Sequence, residues 1–151
     1  MKIRNDFVTN SSSSSFIVVF KDEEAAKNSH TNMIERGLQK EFADVIYKDI
    51  LNEKRSYKET IDELLEGVDV YCEFFAKYPG HSHNRFWETV EYRQLQQEAS
   101  ERILARFKEK VPESSYIAII EYGDEDGSFY SALEHDIMPE LDFVYARISH
   151  H

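Results

Sequence analysis

Apolar residues along this chain fall into two kinds of run. Phe16-Ile17-Val18-Val19-Phe20 and Tyr116-Ile117-Ala118-Ile119-Ile120 are apolar at consecutive positions. Neighbouring side chains of a strand point to opposite faces, so such a run suits a strand covered on both. Both are expected at the centre of one sheet. Elsewhere apolar residues recur every three or four positions, the helical spacing. Ile34, Leu38, Phe42, Val45, Ile46 and Ile50 predict a helix over 32–54, with Asn32 as cap and Glu35 three residues on. Gly37 weakens its first turns by about 1 kcal/mol relative to Ala. Ser56 and Glu59 form a second capping-box pattern, followed by Ile61, Leu65, Val68, Cys72 and Phe75. These predict one helix past Gly67 to Tyr78; the competing reading stops at Gly67 and makes 68–75 a strand. Asn84 caps a third predicted helix over 85–111, with Tyr92, Leu95, Ala99, Ile103, Phe107 and Val111 on one stripe before Pro112. Phe86 and Trp87 near its start are expected in the core.

The stretch 115–133 reads as a β-hairpin. The second apolar run leads into Gly123-Asp124-Glu125-Asp126-Gly127, which has turn chemistry, and Ser128-Phe129-Tyr130-Ser131-Ala132-Leu133 returns as a strand. Residues 134–140 connect to a last strand over 141–148, and 21–29 has the composition of a short helix. The order is strand, helices, then three strands. The expected class is α+β: a single domain over 1–151, with about four strands in one mixed or antiparallel sheet packed against three long helices. Residues 1–14 are expected to be a flexible lead-in, dispensable for folding.

Composition narrows the function classes. The chain has 151 residues, 41% of them apolar, which is ample for a core. Asp and Glu outnumber Lys and Arg 29 to 18, for a net charge of −11. That field repels nucleic-acid phosphates and anionic membrane surfaces and leaves a protein partner as the expected macromolecule. No stretch approaches the ~20 apolar residues of a membrane span, and the N-terminus lacks the ~7–15-residue apolar core of a secretory signal. Cys72 is the only cysteine, which excludes an internal disulfide and fits a cytoplasmic protein.

Three stretches could carry chemistry. The first is the tract Ser11, Ser12, Ser13, Ser14 and Ser15. It has no G-x-S-x-G elbow and no Walker A pattern near it, so the functional expectation is a modified or recognised segment. The block Asp6-Phe7-Val8-Thr9-Asn10-Ser11-Ser12-Ser13-Ser14-Ser15-Phe16 resembles the opening of a set of uncharacterised bacterial proteins. A weaker echo lies in Asp126-Gly127-Ser128-Phe129 and Ile148-Ser149-His150-His151. The resemblance implies membership of a family without an established activity, and it assigns no catalytic residue.

The second is the acidic turn. Asp124-x-Asp126-Gly127 matches the middle of an EF-hand loop, but the register puts Tyr122 and Leu133 at positions that must be ligands, so that reading fails. The third is histidine. His135, His150 and His151, with Glu134 nearby, offer donors for a divalent transition metal; no other cofactor is evident. His81 and His83 follow Pro-Gly and are expected in a solvated loop. The hairpin topology argues against convergence, because it separates His135 from His150 by a strand length, ~20 Å. The leading expectation is a small soluble binding or regulatory domain without evident catalysis. The alternative is a metal-dependent enzyme, such as a hydrolase, built on the His/acid cluster.

Overall fold

The computed structural model describes residues 13–150. The fold is α+β, with a four-stranded antiparallel sheet in the order β2-β3-β1-β4. The strands are β1 (Ser13–Phe20), β2 (Lys54–Arg55), β3 (Tyr116–Gly123) and β4 (Val144–His150). The helices are α1 (Glu23–Lys27), α2 (Ser29–Glu35), α3 (Lys40–Asn52), α4 (Tyr57–Glu66), α5 (Tyr71–Lys77), α6 (Val90–Lys110) and α7 (Ser128–Ala132). They form two compact units. One comprises the described residues up to Thr60 with those from Ser114 onward; the other is Ile61–Glu113.

The first unit holds the whole sheet. The two runs of consecutive apolar residues pair with each other antiparallel, Ile17 opposite Ile119 and Phe20 opposite Tyr116, and occupy its centre as their pattern predicts. Phe16, Val18 and Phe20 of β1 and Tyr116, Ala118, Ile120 and Tyr122 of β3 share one face. Ala43, Ile46 and Ile50 of α3 complete that core. The Tyr116 hydroxyl donates to the Ile50 carbonyl and the Tyr122 hydroxyl to Asp49, each at 2.8 Å, which ties α3 to β3.

The helix expected over 32–54 is two helices. α2 ends in a Schellman motif: Gly37 takes φ +99°, its N–H bonds the Ile34 carbonyl, and the Leu38 N–H bonds the Met33 carbonyl, both at 3.0 Å. A positive φ of this kind is open to Gly and costly to residues with a Cβ, so Gly37 ends the helix instead of weakening it. Ile34, placed on the predicted stripe, is exposed.

The hairpin is the larger departure. Residues 128–133 do not pair with the sheet. Gly127 turns the chain at φ +112°, Ser128–Ala132 is helical, Leu133–Ile137 forms a π-helical turn and Met138–Glu140 a 3-10 turn. The Ser131 N–H bonds the Gly127 carbonyl at 2.9 Å, and the Phe129 ring stacks on Phe42 at 4.6 Å. Leu133 and Met138, five positions apart, are both fully buried. The place expected for this strand, beside β3, is taken by the two-residue β2, while β4 pairs with β1.

Ser56 and Glu59 do form a reciprocal capping box, Ser56 N–H to Glu59 Oε1 at 2.8 Å and Glu59 N–H to Ser56 Oγ at 3.0 Å. The helix they start stops at Glu66, however, and 68–75 becomes neither its continuation nor a strand. The Asp69 carboxylate accepts the Tyr71 N–H at 2.9 Å, an Asx contact that competes with a continuous helix and begins α5. In the second unit, Val68, Val70, Phe74, Tyr92 and Ala99 form the core. Its long helix is capped by Thr89, whose Oγ accepts the Tyr92 N–H at 3.1 Å, and not by Asn84. Arg85 sits at φ 58° and interrupts the earlier start, and Trp87, expected in the core, is 52% exposed.

Candidate functional site

Side-chain alternation divides one end of the sheet into two polar clusters. Ser14 pairs with Tyr122 and Ser149, and Phe16 with Arg147; these positions share the core face. Ser13 and Ser15, with Glu121 and His150, project from the opposite face.

On the core face stands Glu134, contributed by the π-helical turn and 0% exposed. Its two oxygens have different surroundings. Oε2 accepts from the Ser14 hydroxyl at 2.8 Å, and Arg147 Nη2 lies 3.6 Å from it. Ser14 in turn accepts from Arg147 Nε at 2.9 Å, so the serine passes the pull of the guanidinium to the carboxylate. Arg147 also covers the Phe16 ring, with its guanidinium carbon 5.6 Å from the centroid. Oε1 makes no hydrogen bond among the described residues. The His135 Nε2 is 3.3 Å from it, but that nitrogen hydrogen-bonds Asp124 Oδ1 at 2.9 Å. Asp124 follows β3 directly, and donor atoms of Asp124, Glu134 and His135 all lie within 4.8 Å of one another.

The expected set His135, His150, His151 and Glu134 is thus partly assembled. Glu134 and His135 meet, joined by Asp124. His150 reaches the same end of the sheet but the other face: its Nε2 is 2.9 Å from Ser15 Oγ and 3.8 Å from Glu121 Oε2. The strand-length separation expected from a hairpin does not arise, because 128–133 is not a strand; alternation along β4 is what parts His150 from His135. His151 lies outside the described residues. Ser15, His150 and Glu121 have the composition of a nucleophile–base–acid set, but both contacts use Nε2, whereas a triad needs the acid on the ring's other nitrogen.

Of the serine tract, Ser11 and Ser12 lie outside the described residues. Ser13, Ser14 and Ser15 are residues of β1, and Ser14 and Ser15 are buried. The flexible lead-in expected to reach residue 14 therefore overlaps the strand, and a modifying enzyme has no access to Ser14 or Ser15 in the folded chain. Arg147 had no place in the sequence-based sites, and Ser14 had one only as part of the modified or recognised tract. The available signal was alternation: the tract runs unbroken into the strand, which puts Ser14 on the face of Phe16 and Val18. In the second unit His83 stacks on Phe75 at 4.1 Å and its Nδ1 is 3.1 Å from the Tyr71 hydroxyl, while His81 packs against Phe74 at 5.2 Å. Both stand in the loop after α5, as expected, with His83 exposed, and their rings pack on the aromatic side chains of that unit.

The first unit also holds a cavity of about 470 Å³. Phe20, Met33, Leu38 and Phe143 supply apolar walls, and the Phe20 and Phe143 rings meet at 4.9 Å. The Schellman turn at Gly37 brings Leu38 to the wall. Its rim is acidic: Arg36 is ion-paired with Asp142, and Asp136 and Glu140 add two more carboxylates.

No family model, curated protein or solved structure matches this chain. No helix among the described residues is long and apolar enough to cross a membrane.

Proposed function

We propose that this chain is a cytoplasmic binding or regulatory domain whose ligand is a small organic cation with an apolar body. The observation that supports this reading is the cavity bounded by β1, α2 and the segment before β4. Its volume of about 470 Å³ falls in the ~300–1,000 Å³ range of small-molecule sites. Phe20, Met33, Leu38 and Phe143 suit an alkyl or aryl group. The rim sets the sign of the ligand's charge: Asp136, Glu140 and Asp142 face one guanidinium, Arg36, which is already paired with Asp142. The surplus is negative, in keeping with the charge of the whole chain.

The test is ligand-observed NMR of the full chain against matched sets of alkyl- and arylammonium compounds, their neutral alcohols and their carboxylates. The ammonium members should bind, and the double variant Asp136→Asn, Glu140→Gln should lose that preference while remaining folded, since both side chains are exposed. Equal binding of all three sets, or of none, would refute the reading.

A further inference from the structure

We propose that Asp124, Glu134 and His135 form a binding site for one divalent first-row transition metal ion of the zinc type, distinct from the cavity. Glu134, a carboxylate with no exposure, is held with one oxygen satisfied and one not. A buried polar atom left without a partner bears its full desolvation penalty, larger still if it is charged, so such atoms are rare. The unsatisfied oxygen is aimed at the imidazole of the next residue, 3.3 Å away, and the same imidazole nitrogen is 2.9 Å from Asp124 Oδ1. Three potential ligand atoms thus converge on one small volume, all within 4.8 Å.

The spacing suits a metal. Bonds of ~2.0–2.2 Å around a tetrahedral ion put neighbouring ligand atoms about 3.3–3.6 Å apart. The Glu134–His135 separation is already 3.3 Å. The Asp124–His135 separation is that of a hydrogen bond, 2.9 Å, and opens by a few tenths of an ångström when an ion replaces the shared proton. The donor set, one imidazole and two carboxylates, matches a borderline ion better than Ca²⁺, which takes oxygen ligands.

The supports of a ligand are also in place. Ser14 and Arg147 hold Glu134 through Oε2 alone, which leaves Oε1 free to ligate in one orientation, and ligating carboxylates are commonly hydrogen-bonded in this manner. Glu134 and His135 are adjacent and yet both reach the cluster because they stand in a π-helical turn, a rare geometry enriched at functional sites. Glu134 faces the buried side and His135 is accessible to solvent, so an ion can enter from the histidine side. Three protein ligands leave a fourth position for water or for a group of a partner molecule.

The deciding experiment is calorimetric titration of Zn²⁺ into the full chain, purified without an affinity tag and stripped with a chelator, with Co²⁺ absorption as the readout of geometry. One ion per chain is expected, with the visible bands of a tetrahedral Co²⁺ site. His135→Gln and Asp124→Asn should each weaken binding at least tenfold, as should Glu134→Gln. The first two side chains are at the surface, so they test the site even if Glu134→Gln fails to fold. His150→Ala should leave binding unchanged, being on the other sheet face. Absence of Zn²⁺ binding, binding that survives His135→Gln, or selective binding of Ca²⁺ would each overturn the proposal.

Discussion

The Ser14 hydroxyl donates to the Glu134 carboxylate at 2.8 Å, joining positions 120 residues apart. It also accepts from Arg147 Nε at 2.9 Å, so one hydroxyl bridges a buried anion and a cation of β4. Ser14→Ala leaves the second Glu134 oxygen without its donor. The expected loss is about 1–3 kcal/mol, or roughly 2–4 °C of melting temperature per kcal/mol. Ser13→Ala removes a long, exposed bond to Glu121 at 3.3 Å and should have little effect. A chain beginning at Ser15, expected from sequence to fold normally, should melt lower than Ser14→Ala, because it also loses the ladder positions of Ser13 and Ser14. Thermal unfolding of the three chains checks the order.

Tyr122 should make the fold sensitive to alkali. Burial, and then its hydrogen bond to Asp49, pushes the phenol well above its ordinary range, and burial raises Tyr116 as well. A raised acid contributes stability in full below its unfolded value, near pH 10, and loses it as pH rises beyond that, because only the unfolded chain then ionises. Denaturant midpoints should therefore fall above about pH 10. Tyr122→Phe should start from lower stability and show a shallower fall; equal slopes would contradict this account.

Gly37 tests the origin of the helix break. A Cβ built there meets nothing within 4 Å, so substitution carries no steric cost from neighbours, only that of φ +99°. Gly37→Ala should cost about 1–2 kcal/mol, and Gly37→Asn less, since Asn tolerates positive φ. If the break came from packing, Ala would be neutral. Denaturant unfolding of the two variants separates the cases.

The start of α4 carries an acid-sensitive cap. The Ser56 N–H, and then its side chain, holds Glu59 below the usual carboxylate range. A lowered carboxylate contributes stability above its unfolded value and loses it as pH falls through the lowered folded value. Helix content followed by circular dichroism from pH 5 downward should drop less steeply in Glu59→Gln than in the parent chain.

Some of this protein was decided locally. The central pair β1 and β3 is legible because five consecutive apolar residues leave a strand no solvated face, and the capping box at Ser56 and Glu59 is legible because both partners lie within one helical turn. The α+β class follows from the order of such elements. Other features depended on contacts far along the chain. The six residues from Ser128 are too few to tell a strand from a helix by period; the Phe129–Phe42 stack and the burial of Leu133 and Met138 accompany the helical state. Glu134 stands out in the sequence only as the neighbour of His135; its burial under Ser14 and Arg147 depends on the π-helical turn. His150 and Arg147 are three positions apart on β4, and pairing with β1 puts them on opposite faces, because a strand alternates and an odd step reverses direction. Which donors meet was therefore a matter of sheet register and of one widened helical turn, neither of which is encoded in any window of neighbouring residues.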